Sequence, residues 1–155
     1  MTPRWRLAGL VAICCVLLAP VPIRAGEDKD FDVQILAIRA TTANSEVSPE
    51  LKDLAEKLSK QFKYTGFKLE KKAAGQAKID KAFEAELIEN YSAEVTPREL
   101  KDDRVKMNLK VTRREDGKPK TKLKTDLTTE RGKFVLVGVE KLGKDEFLII
   151  AAAVR

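Results

Sequence analysis

Between Arg104 and Thr112 the chain alternates without a break, Val105, Met107, Leu109 and Val111 against Arg104, Lys106, Asn108, Lys110 and Thr112. A period of two residues marks a strand with one buried face. Glu115-Asp116-Gly117 then supplies a turn, and Lys118 to Leu127 returns as the second arm of a hairpin. Residues paired across an antiparallel ladder share a face. In an unbroken ladder a two-residue loop at Asp116-Gly117 sets Val111 opposite Lys122 and mixes the faces. A three-residue loop from Glu115 to Gly117, with Gly117 left-handed, instead pairs Arg114 with Lys118, Leu109 with Leu123 and Lys106 with Asp126. The three-residue loop is therefore expected. It gathers Lys106, Lys110, Arg114, Lys118, Lys120, Lys122 and Lys124 on one outer face.

Phe31 to Ile38 alternates and then turns wholly apolar, a strand buried on one face and partly covered on the other. After the polar loop Thr41 to Glu46, Ser48-Pro49-Glu50 reads as a helix start, with Ser48 as the cap and Pro49 in the first turn. Leu51, Leu54, Ala55, Leu58 and Phe62 recur at helical spacing, which predicts an amphipathic helix of about 14 residues ending near Tyr64-Thr65-Gly66. Phe67 to Lys71 reads as a strand that ends in a loop around Ala74-Gly75. Over 76–90 helix and strand patterns both fit. Tyr91, Ala93 and Val95 indicate a short strand, and Pro97 an edge or a break. Phe134 to Val139 and Phe147 to Val154 are apolar on both faces and are expected to be central strands. The fold class expected is α+β, mainly β: one amphipathic helix packed on a mostly antiparallel sheet or open sandwich of about seven strands.

Arg4 and Arg6 lead into the apolar run Leu7 to Ala19, and Pro20 to Ala25 offers a small residue before Gly26. This is the pattern of a signal peptide over residues 1–25, leaving residues 26–155 as a single α+β domain. The apolar run falls short of the roughly 18 residues a span needs, so no transmembrane segment is expected once the leader is removed. Both cysteines, Cys14 and Cys15, lie in the leader, and the chain has no histidine. A disulfide framework and the histidine-based triads are thereby excluded from the exported chain.

Of the net charge of +6, Arg4, Arg6 and Arg24 carry three units. Gly26 to Leu100 holds 15 acids and 12 bases, whereas Lys101 to Lys133 holds 12 bases and 6 acids. The positive charge thus belongs to the hairpin. The seven basic residues of its outer face are a candidate polyanion-binding surface, for lipopolysaccharide or an acidic glycan. Nucleic acid is disfavoured because the ribbon offers no aromatic platform for base stacking. The bland alternative is that the lysines keep a two-stranded ribbon wet and guard its edge. Glycine-rich phosphate loops, metal-ligand spacings and serine nucleophile motifs are missing, so no catalytic residue, metal or cofactor is assigned.

The order of elements, a leader followed by "VQILAIRAT", "SPELKDLAEKLSKQFKYTGFKL", "RVKMNLKVTRREDGKPKTKLKTDL" and "KFVLVGVEKLGKDEFLIIAAAVR", resembles a group of uncharacterised exported bacterial proteins. That resemblance implies export and a β-rich fold with one helix, and it favours strands over 76–90. The final strand pair is similar to a hairpin of outer-membrane secretins in which a "VVIGG" type segment precedes a turn, although Val137-Gly138-Val139 carries a single glycine. The function expected is a non-catalytic binding or structural accessory of the bacterial cell envelope, periplasmic or extracellular, with an envelope protein or a polyanion as partner. The alternatives are a polyanion-binding module using residues 104–128 and a secreted hydrolase with an Asp or Glu pair.

Overall fold

The computed structural model describes residues 29–155, so the leader expected over residues 1–25 lies outside the described residues. Eight strands and one α-helix build the described part: β1 (Phe31–Thr41), α1 (Lys52–Gln61), β2 (Gly66–Ala77), β3 (Phe83–Glu86), β4 (Tyr91–Lys101), β5 (Arg104–Glu115), β6 (Lys118–Glu130), β7 (Val135–Lys141) and β8 (Glu146–Val154). They form two four-stranded antiparallel sheets, β2-β1-β8-β7 and β3-β4-β5-β6. The α+β, mainly β class is as expected, with eight strands rather than about seven. Each strand lies beside its successor in sequence, and β8 returns to pair with β1. Because β2 touches β3 and β6 touches β7 without a shared ladder, the order is that of a flattened up-and-down barrel with two open seams.

The period-two pattern now has a physical address. Phe31, Val33, Ile35 and Ala37 of β1, with Leu148, Ile150, Ala152 and Val154 of β8, face Val105, Met107, Leu109 and Val111 of β5 across the space between the sheets. Leu36, Ile38, Ile149 and Ala151 point the other way, where Leu51, Leu54 and Leu58 cover them from the helix side. Both faces of β1 and β8 are buried, hence their unbroken apolar runs. Each large side chain so buried contributes roughly 1.5–3 kcal/mol. The described elements leave the outer face of the second sheet uncovered.

Several expectations are corrected. The hairpin turn has two residues, Asp116 and Gly117, both at positive φ (51° and 76°), with Glu115 paired to Lys118. Parity is restored further along, where Thr112 pairs with Thr121 and Val111 with Leu123, leaving Lys122 as the extra residue of a β-bulge. Strand β2 continues through Ala74 and Gly75 to Ala77, since the Phe83 ring lies over Gly75 and takes the space of a side chain there. Residues 76–90 contain the short strand β3 and no helix. Of the two C-terminal strands expected to be central, β8 is, whereas β7 forms an edge.

Ser48 makes no capping bond. Val47 bridges Phe67, and this tether turns the Ser48 hydroxyl to accept from the Leu69 N–H at 2.9 Å. The helix accordingly begins as a 3₁₀ turn at Pro49–Leu51. Pro97 sits within β4, but β3 pairs only as far as Val95; beyond it the Pro97 carbonyl accepts from the Asp80 N–H at 2.8 Å, and no ladder there calls for the N–H that proline lacks.

The seam between β2 and β3 is tested at Gly75, where an added Cβ would lie 2.2 Å from Cε2 of Phe83. Gly75→Ala is expected to cost about 1–3 kcal/mol in urea unfolding. In a Phe83→Ala background the same change should cost clearly less, and equal costs in both backgrounds would dissociate the glycine from the ring.

Candidate functional site

The corrected register divides the seven basic residues of the hairpin. Lys106, Lys110 and Lys124 pair with Thr128, Lys124 and Lys110 respectively, on the outer face, and Arg114 lies on that face opposite Pro119. Lys118 and Lys120 pair with Glu115 and Arg113, residues of the inner parity, and Lys122 is the bulge. Outside, Lys106 contacts Glu99 at 2.8 Å and Lys110 lies 3.8 Å from Glu94. Inside, Lys120 and Lys122 both reach Glu115, at 3.4 and 2.6 Å. One continuous basic face is therefore not formed.

The residues that do converge lie at the end of the barrel where β1, β5 and β7 finish. Three bulges occur there. In β2 the pairs Ala37↔Lys71 and Ile38↔Leu69 leave out Glu70, in β6 Lys122 is left out, and in β7 Gly138↔Ile149 and Glu140↔Leu148 leave out Val139. The β7 bulge places Glu140 on the inner face beside Leu148, and Lys122, which follows Lys118 and Lys120 in the inner parity and is left outside the ladder by the β6 bulge, meets it at 3.4 Å. The Tyr91 hydroxyl donates to Glu140, and Arg113 stands 3.8 Å from the same carboxylate with its guanidinium 5.2 Å from the centre of the Tyr91 ring. Residues of β4, β5 and β6 thus grip one carboxylate of β7 across the gap between the sheets. Bulges at barrel rims commonly re-aim side chains in this way.

A second cluster completes the rim. Arg39 of β1 donates from Nε to Glu70 at 2.8 Å, from Nη1 to Glu146 at 2.6 Å and from Nη2 to Glu89 at 2.8 Å. Glu89 lies in the turn between β3 and β4, so this arginine also ties the two sheets together. Beside it opens a groove of about 970 Å³ lined by Arg39, Asn44, Ser48, Lys68, Glu70 and Glu146, among others.

The charges are held by their partners. The hydrogen bond from Lys122 is the main cause that holds the Glu115 carboxyl below its ordinary range, and the same bond raises the Lys122 ammonium. Burial opposes the charge of Arg39, yet its bonds to Glu89, Glu146 and Glu70 outweigh burial and its pKa rises. Burial, reinforced by the bond to Glu140, pushes the Tyr91 phenol well above its ordinary value. Carboxylates do come together at both clusters, but around a cation that each of them neutralises. A hydrolytic pair needs one carboxyl kept protonated beside an ionised one. Among the described residues no group of three or more His, Cys, Asp or Glu is placed to hold a metal ion, and no helix is long and apolar enough to cross a membrane.

Neither Tyr91 nor Glu140 stood out in the sequence, since nothing in a strand pattern says which residues of distant strands meet. The available signal was the hairpin itself: an Asp-Gly turn whose flanking apolar positions differ by one in parity calls for a bulge. No family model, curated protein or solved structure matches the chain.

Tyr91→Phe removes the donor to Glu140 and leaves Lys122 and Arg113 in place, so a loss of about 1–2 kcal/mol is expected in urea unfolding at neutral pH. Because the folded phenol titrates above the unfolded one, its contribution is complete below the ordinary phenol range and is lost as pH rises through the folded value. The gap between wild type and variant should therefore shrink above about pH 10. A gap that stays constant to alkaline pH would show that the hydroxyl is not coupled to folding.

Proposed function

We propose that the protein is an exported, non-catalytic binding or structural accessory of the bacterial cell envelope. The observation that supports this reading most is that the space between the sheets is filled by side chains, Tyr91, Phe31, Met107 and Leu109 being almost wholly buried there, while the rim above them is closed by paired charges. Among the described residues these side chains occupy the interior, in contrast to ligand-holding barrels of similar strand number. Recognition then falls to the outside, where the groove of about 970 Å³ beside Arg39 offers a concave surface. Its lining mixes amide, hydroxyl and charged groups, a composition suited to a polar partner surface.

Export rests on the leader pattern of residues 1–25 and on the resemblance described above. In that reading the removal of both cysteines with the leader leaves the domain to depend on its two apolar cores, as the described residues do.

The full-length chain, expressed in a bacterium, should be recovered outside the cytoplasm with its N-terminus at Gly26 by intact mass. A photo-crosslinking residue at Asn44 or Lys68 should then join it to one discrete envelope component, and the same residue at Lys101, at the opposite end of the barrel, should not. Retention of Met1 in the cytoplasm would end the export reading, and equal labelling from both ends would end the assignment to the groove.

A further inference from the structure

The outer face of the β3-β4-β5-β6 sheet carries an unusual row. Glu84 of β3 pairs with Glu94 of β4, Glu94 with Lys110 of β5, and Lys110 with Lys124 of β6. Residues in register share a face, and this one is the outer face, because the flanking Ala85, Ala93, Val95, Leu109 and Val111 are buried between the sheets. The four side chains therefore read acid, acid, base, base across the sheet. Two of the three neighbouring pairs are of like charge, and like charges directly opposite one another destabilise a ladder. Within the chain the inner two stand 3.8 Å apart, while Glu84 and Lys124 end the row exposed.

We propose that this face is the contact surface between two copies of the chain. A two-fold axis parallel to the strands and midway between β4 and β5 reverses the row, so that Glu84 meets Lys124 of the partner subunit and Glu94 meets Lys110 of the partner subunit. Both like-charge pairs are then faced by opposite charge. Such self-complementarity is what an isologous interface requires. Two rows away from the rim the same rule holds, since Glu99 pairs with Lys106 and reverses onto an opposite sign. Between the rows Thr96 and Asn108 are short and already largely covered, and the Asn108 amide donates to the carboxylate of Asp126 at 2.8 Å; towards the rim Glu86 pairs with Ser92, and the Ser92 and Thr112 hydroxyls are bonded to each other at 2.7 Å. Neither obstructs approach. Twisted sheets packed face to face cross at about 30°, so contact centres on these rows and the strand ends carrying Lys101 and Arg104 diverge. The proposal is independent of the envelope function above.

Charge reversal tests it. Sedimentation equilibrium of the purified protein is expected to show a dimer at about 20 mM salt, weakened tenfold or more by about 300 mM. Lys110→Glu with Lys124→Glu makes a row of four acids, and Glu84→Lys with Glu94→Lys a row of four bases. Each double variant should be monomeric alone, and an equimolar mixture of the two should associate. Circular dichroism checks that both fold, and the wild-type salt series stands without them. A wild type that is monomeric at low salt up to about 200 μM, in a range where weak interfaces still form, overturns the proposal. So does a mixture of the two variants that stays monomeric. If the monomeric wild type is instead retained on heparin through Lys110 and Lys124, the face is a polyanion surface and not a dimer contact.

Discussion

One carboxylate, Glu140, holds the two sheets together at the rim of the barrel. The ladders run within each sheet, and at the seams β2/β3 and β6/β7 nothing of the backbone crosses. Apolar packing fastens the middle, where Leu109, Ile150 and their neighbours meet. Near the rim the chain turns polar, and the hydroxyl of Tyr91 and the charges of Arg113 and Lys122 must be answered by something from the other sheet. Glu140 answers them, and Arg39 makes the reciprocal tie to Glu89. A partly buried carboxylate is costly unless it is paired and hydrogen-bonded, which is why three partners attend this one.

The geometry of that contact depends on β-bulges. Without the extra residue Val139, Glu140 would have the opposite parity and point towards the helix side; without the extra residue in β6, Lys122 would itself stand opposite Val111 and Leu123 would be turned outward, so that bulge admits Leu123 to the core while Lys122 stays at the rim. A bulge leaves one residue outside the ladder and bends the strand, which weakens pairing locally. Here that loss is offset by charge pairing between sheets. The same device aims Glu70 at Arg39. With the interior filled and the rim occupied by paired charges, the surfaces left for recognition are the groove beside Arg39 and the uncovered sheet face.

Much of the fold was legible because burial in a sheet imposes a period. Val105 to Val111 and the apolar runs of β1 and β8 were placed correctly, as was the helical stripe from Leu51 to Leu58. Over 76–90 the chain holds only the last two residues of β2 and the four of β3, each too few for a period to declare itself. The turn was misread because parity was asked of an unbroken ladder: Asp116-Gly117 suits a two-residue turn with both residues at positive φ, and the mismatch it created was real. A bulge absorbed it. That error put Lys118, Lys120 and Lys122 on the wrong face and hid the rim. Contacts such as Tyr91 with Glu140 join residues 49 apart in sequence and obey no local rule.

Deletion of Lys122 tests the central claim most directly. It removes the bulge without disturbing the turn, since Thr121 already pairs with Thr112 and Leu123 with Val111. Hydrogen exchange followed by mass spectrometry should show the amides of β7 and of the 87–90 turn losing protection while β5 and β8 keep theirs. If β7 stays as protected as in the wild type, the bulge serves the hairpin alone, and Lys122 has no part in joining the sheets through Glu140.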